Sequence, residues 1–215
     1  MTAKPLLILC FFCFPTLAQN PLPWLFVSSE NGTILHKRHH TDGLIEIRAQ
    51  TFAQTSYSGF LLLLEDSKNV PNWIDNVENS YVLQQISANE NIVYTQFLAP
   101  WPAKDRDMVT YSRYQIEDGQ FVLTIKDASS YLPLQPNYIR IIGIKAHWIL
   151  QPLDNGTTHI TYIAYADPGG ALPDWLSNKL SVSGALATFE GLKEQLPKYQ
   201  NKQHPNLPKE NTLQE

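Results

Sequence analysis

Short alternating runs punctuated by Asn-Gly and Asp-Gly dipeptides fill the chain from Trp24 to Ala166, and one long helical stretch follows them. Residues 24–28 and 33–39 flank the turn "ENG", and residues 44–52 follow "TDG", which predicts a three-strand meander. "SYSGFLLLLEDS" then breaks the alternation with an apolar helix of about ten residues that ends before Pro71. Strands are expected again at 80–87, 91–98, 108–116 and 120–126, the last two joined through "EDG". After a proline-marked loop, "SSYLPLQPN", come a long strand over 138–150 and a hairpin through "DNG" into 158–166. The sum is about eight or nine antiparallel strands.

The closing segment "DPGGALPDWLSNKLSVSGALATFEGLKEQLPKY" has helix signals at both ends. Pro173 suits a first helical position, Asp174 complements the N-terminal dipole and Pro197 stops the run. Leu172, Trp175, Val182, Leu186, Phe189 and Leu196 recur at helical spacing, which predicts one apolar face about 23 residues long. An antiparallel sheet with a single long helix at its end is an α+β arrangement in which the helix covers the concave face of a strongly curved sheet. The middle of that helix is small: Ser181, Ser183, Gly184, Ala185 and Ala187. A helix-interior glycine costs about 0.5–1 kcal/mol relative to alanine, so these positions imply either room for a ligand beneath the helix or a backbone that approaches it closely.

The chain has 215 residues, of which 43% are hydrophobic, enough for one sizeable core. A net charge of −4 and scattered Lys and Arg provide no footprint for a nucleic acid. Lys4, the apolar run 6–14 and the small residues Thr16 and Ala18 form a secretory leader with cleavage near Ala18, so export to a periplasm or the exterior is expected. Cys10 and Cys13 both lie in that leader, leaving the mature chain without disulfides or thiol ligands. The expected organisation is therefore a leader at 1–18, one domain at 19–199 and a polar, disordered tail at 200–215, in a monomer that needs no cofactor.

Three stretches then coincide in order: "NVPNWIDNVENSYVLQQI", "PWPAKDRDMVTYSRY" and "YADPGGALPDWLSNKL". Together they resemble the START family of lipid-transfer domains, in particular its short exported bacterial members, over about residues 24–196. The resemblance implies a helix-grip fold, a closed tunnel for one phospholipid, fatty acyl or sterol-like ligand, transient contact with a membrane, and no catalytic residues. Trp73, Asn76 and Val77 match the motif before a strand, and Arg106 with Asp107 match an Arg-Asp pair. In sterol-carrying relatives a buried basic residue six positions after that Arg faces an acidic one. Here Ser112 and Gln96 stand in those places, a neutral pair.

Strand alternation gives the residues expected to face the ligand: Tyr94 with Gln96, Thr110 with Ser112, Ala146 with Trp148 and Tyr162 with Ala164, joined by Val182, Leu186 and Phe189 of the helix. A one-residue slip would invert any of these pairs. Arg106 and Asp107 read as a joint that pins the Pro-Trp-Pro corner through bonds to backbone or to each other. Two rival classes stay open at this level: an enzyme resembling cyclases or hydrolases of the same fold, resting on Ser112, Tyr94 and Tyr162, and an envelope interaction module with a filled core. His36 with His40, or Asp105 with Asp107, offer too few ligands to close a metal site.

Overall fold

A computed structural model describes residues 22–208, so the leader at 1–18 lies outside the described residues. The first three strands form the expected meander: β1 (Leu25–Glu30), β2 (Thr33–His39) and β3 (Ile45–Ala53). Asn31 and Gly32 both take positive φ in the first hairpin, the conformation for which an Asn-Gly pair is suited. α1 (Tyr57–Glu65) follows, capped by Ser56, whose side chain accepts from the Gly59 amide at 3.0 Å. A short 3-10 turn at Val70–Asn72 carries the chain to β4 (Val77–Ser87). β5 (Glu90–Phe97), β6 (Arg106–Glu117) and β7 (Gln120–Asp127) continue as antiparallel neighbours.

The strand expected over 138–150 divides. β8 (Ile139–Arg140) pairs parallel with β6, and β9 (Ile142–Pro152) then pairs with β7 and with β10 (Thr158–Asp167). Gly143, at φ 65°, lies just past the division. Arg140 fixes it, because its guanidinium is committed to β6, as described below. The order across the sheet is β1-β2-β3-β10-β9-β7-β6-β5-β4, with β8 beside β6. The two ends of that path, β1 and β4, do not pair, so the sheet stays open along one side.

α2 (Asp174–Gln195) lies across the concave face, held to the first hairpin by Asn31 donating to Glu190 at 2.6 Å and Lys193 donating to the Thr33 hydroxyl at 3.0 Å. Its apolar face is buried only in its second half. Phe189, Leu192 and, just beyond the helix, Leu196 are buried, whereas Trp175 is 68% exposed. Pro173 precedes the first helical residue instead of occupying it. The core joins these residues to Leu35, Ala49, Phe60, Phe121, Leu150 and Ile160 in one cluster under α1 and α2.

Residues 200–208, expected to be disordered, pack instead on α1. His204 and Leu207 are buried, the His204 Nε2 lies 2.9 Å from Glu65 Oε2, and its Nδ1 accepts from the Asn206 amide at 3.2 Å. Polar composition concealed the segment because its anchors are single side chains placed on distant partners.

Candidate ligand cavity

Between α1, the 3-10 turn and the concave face of β4–β7 lies a cavity of about 140 Å³. Leu61 and Leu64 of α1 roof it, and Val93, Thr110, Ser112 and Ile125 form part of its floor. Its polar groups are neutral along the floor. The Ser80 and Thr95 hydroxyls pair at 3.1 Å, Thr110 is buried, and the Asn91 Oδ1 is buried without a hydrogen-bond partner. Glu65 stands among the lining residues, with one oxygen held by His204. The space is smaller than the roughly 300–1,000 Å³ of small-molecule sites, so a whole lipid requires the roof or the floor to part.

Thr110 and Ser112 line this cavity; Tyr94 and Gln96 do not. Strand pairing explains the inversion. Val93 lies opposite Thr110 and Asn91 opposite Ser112, while Tyr94 lies opposite Val109 and Gln96 opposite Asp107, and directly paired residues share a face. Tyr94 therefore points to the convex side, where it joins Ile92 and Val109 in a second small core beneath residues 128–132. There its hydroxyl donates to Asp107 at 3.1 Å. Burial and the neighbouring Asp107 carboxylate push that phenol well above its ordinary value. Both faces of β5 mix apolar and polar residues in equal share, so its sequence had no phase to reveal.

Trp148, Tyr162 and Phe189 stack on one another under the grip, and none of the three borders this cavity. The Trp148 ring lies 4.3 Å from Tyr162, 5.2 Å from Phe60 and 5.7 Å from Phe189, centroid to centroid, and Trp73 closes the stack at 6.3 Å. Burial alone pushes the Tyr162 phenol up to about 12. Ala146 and Ala164 pair across β9 and β10, and Val182 and Leu186 pack on the edge of the cluster; none of these four borders the cavity. Close packing explains Gly191 of α2, while the contact at Gly184 is looser. A Cβ on Gly191 would stand 2.6 Å from the Trp73 Cα, and one on Gly184 would stand 3.3 Å from an Asp75 carboxylate oxygen. The Thr188 hydroxyl accepts from the Asp75 amide at 3.1 Å, so the backbone of residues 73–75 runs tightly along the helix.

The Arg-Asp pair is a joint: Arg106 bonds to backbone as expected, whereas Asp107 is held by Arg140 and not by Arg106. Asp107 accepts from Arg140 Nε at 2.7 Å and from Nη2 at 2.9 Å, a bidentate pair with both side chains buried. The same guanidinium donates to the carbonyls of Ser129, Leu132 and Pro133 at 2.7, 2.9 and 3.2 Å, tying down the loop over the convex core. Arg140 was missed in the sequence; its signal is a lone charge inside the apolar run "NYIRIIGI". Trp73 belongs to the aromatic stack, Asn76 turns the chain at φ 57° and Val77 is buried at the start of β4. Arg106 pairs with neither acid: its Nη1 donates to the Lys104 carbonyl, and Asp105 accepts from the Ala99 amide at 2.8 Å. Among the described residues, no three His, Cys, Asp or Glu side chains gather into a metal site.

A second, more open cavity of about 480 Å³ lies between the Pro-Trp-Pro corner and the start of α2. Pro100, Trp101, Leu172, Leu176 and Ile139 wall it, with Lys104 and Arg106 at its edge.

This sheet, its covering helix and the placed motifs can be set against known proteins. Residues 24–202 match the START domain. The chain belongs to the START domain family. It is 33% identical over 132 residues to an uncharacterized protein of Pseudomonas aeruginosa, covering 61% of this chain and 65% of that one. It is 24% identical over 159 residues to human START domain-containing protein 10, covering 73% of this chain and 53% of that one. The chain thus spans less than two thirds of the length of these curated relatives. Among solved structures, a STAR-related lipid transfer protein fragment from Xanthomonas axonopodis superposes with a TM-score of 0.75 at 28% identity, over 81% of this START chain and 98% of that one. Human STARD10 superposes at 0.72 with 21% identity over 82% and 74%, a likeness of fold.

Proposed function

We propose that this START domain binds one hydrophobic molecule between α1 and the concave face of β4–β7 and carries or sequesters it, without chemistry. The observation that supports this most directly is the cavity itself, roofed by Leu61 and Leu64 beside Glu65 and lined on its floor by uncharged hydroxyls, inside a family of lipid-transfer domains. Burial of an acyl chain contributes about 0.8 kcal/mol per methylene, enough for tight binding without an ion pair. Of the three groups that an enzymatic reading would use, Ser112 lines the cavity, but Tyr94 faces away from it and Tyr162 stacks on Trp148 and Phe189 without bordering it, which favours the carrier.

Loading requires an opening, and two exposed tryptophans mark where a membrane would meet it. Trp101, 93% exposed, lines the outer cavity, and Trp175, 68% exposed, precedes the lining residue Leu176. Tryptophan is at home in the interfacial layer of a bilayer, and we assign the transient membrane contact to this corner. Export, with the leader removed, completes the proposal and rests on the sequence of residues 1–18.

Native mass spectrometry of the purified mature protein, followed by lipid extraction, tests the reading. A co-purifying hydrophobic molecule is expected, and it should be lost from Thr110→Trp or Val93→Trp, which fill the cavity. A wild-type protein that stays empty and takes up no fluorescent lipid would sink the proposal.

A further inference from the structure

Arg106 is 8% exposed and its Nε has no hydrogen-bond partner. Among the described residues no carboxylate stands within ion-pair distance of it: Asp107 is taken by Arg140, and Asp105 is turned to the Ala99 amide. A buried guanidinium without a counter-ion is costly, by several kcal/mol, and is retained where something compensates it. Burial accordingly pushes it below its ordinary value, with Asp105 opposing from a distance. Among the described residues its guanidinium bonds only the Lys104 carbonyl, and it borders the outer cavity.

The position of Arg106 along its strand says what the compensating group carries. Side chains two residues apart share a strand face, so Arg106, Met108, Thr110 and Ser112 form one row on the concave side of β6. Met108, Thr110 and Ser112 line the inner cavity, and Arg106 lines the outer one. The two spaces are thus successive stations along a single row about 20 Å long, charged at one end and uncharged beyond it. α2 begins at the charged end, where its cap residue Pro173 provides no side-chain acceptor and the first-turn Asp174 carboxylate lies against Gly43, on the β3 side. Its free amides add to the positive potential there.

We propose that Arg106 receives the anionic head, a carboxylate or phosphate, of a single-tailed amphiphile whose apolar tail runs along β6 past Met108 to Ser112. This rests on the hydrophobic-ligand reading above and narrows it: the ligand is an anion, although the inner cavity floor is neutral. Leu172, Leu176 and Ile139 wall the site around the head, and the low polarity of that wall strengthens the guanidinium's hold on it.

Calorimetric titration of laurate and of dodecanol, equal in tail and different in head, tests the inference. The wild type should prefer laurate by about tenfold or more, the scale of one charge-assisted contact. Arg106→Gln should erase the preference while dodecanol binding stays, and Arg106→Lys should keep part of it. Leu176→Glu, which sets a carboxylate beside Arg106 without touching it, should abolish the preference too, so the result does not depend on an Arg106 variant that folds. Acetate and inorganic phosphate, heads without tails, should compete only weakly. Equal affinity of the wild type for laurate and dodecanol would overturn the anion site and leave the carrier intact. So would an Arg106→Gln change that weakens both ligands alike, or acetate binding as tightly as laurate. If the wild type binds neither laurate nor dodecanol, the hydrophobic-ligand reading itself fails.

Discussion

The two ends of the grip are built from the same parts and left in opposite conditions. Under the second half of α2, four aromatic rings from a loop, two strands and the helix close on one another, and a glycine lets the backbone of residue 73 touch the helix. Towards β4–β6, α1 stands over hydroxyls and leaves a cavity. The contrast teaches that stability and binding are assigned to different stretches of one concave surface: rings interlock with little freedom at one end, while small hydroxylated side chains at the other leave space and keep their hydrogen-bond capacity.

The sharpest way to break that division is to create a hole at each end. Phe189 is fully buried in the stack, so Phe189→Ala should lower unfolding free energy by about 3–5 kcal/mol, the range for a large aromatic removed from a close-packed site. Thr110→Ala, at the cavity, removes a hydroxyl and a methyl beside existing space and should cost about 1 kcal/mol or less. Urea denaturation of both variants measures the difference. Equal losses would mean that the cavity end carries as much of the stability as the stack.

Adding an atom is the complementary test within the closed end. Gly191→Ala places a methyl 2.6 Å from the Trp73 Cα and 2.8 Å from its carbonyl oxygen, backbone atoms that cannot swing aside. A loss of about 1–3 kcal/mol is expected despite the helix propensity of alanine. Gly184→Ala meets only a carboxylate oxygen at 3.3 Å, the end of a side chain that can rotate, and should be neutral or slightly stabilising. If Gly191→Ala is equally harmless, the close approach at Trp73 is not what fixes the helix.

The same division decides how much could be read beforehand. Hairpins announced by Asn-Gly and Asp-Gly pairs fall where expected, because each turn is a local matter of φ. The phase of β6 was legible for Thr110 and Ser112, since its polar positions alternate. That of β5 was not, because residues 128–132 bury its convex face and make Tyr94 as apolar in its surroundings as Val93. The row on Gly184 left two readings open; the path of residues 73–75 brings backbone close at Gly191 but only a side-chain oxygen at Gly184. Arg140 and His204 escaped for one reason: their partners, Asp107 and Glu65, lie 33 and 139 residues away. Local pattern has no access to such pairs, and the charge it did single out, Arg106, has no acid within ion-pair distance among the described residues.

The mildest expected effect concerns Asp75, on the segment that runs along α2. Burial raises its carboxyl above the ordinary range, against the opposing hydrogen bond from the Asn76 side chain at 2.6 Å. A carboxyl with a raised value in the folded state binds its proton more tightly folded than unfolded. Folding is therefore favoured most below the unfolded value, and that contribution disappears as pH rises through the folded one, leaving a residual penalty at neutral pH. Asp75→Asn keeps the shape and the acceptor oxygen while removing the charge, so the variant should be modestly more stable than wild type near pH 7. The two should converge below the ordinary aspartate range. Thermal denaturation at the two pH values reads the sign. A variant less stable at pH 7 would show that the ionised carboxylate at the Gly184 contact is itself a fastening of the closed end, and the tight packing there would have to be ascribed in part to charge.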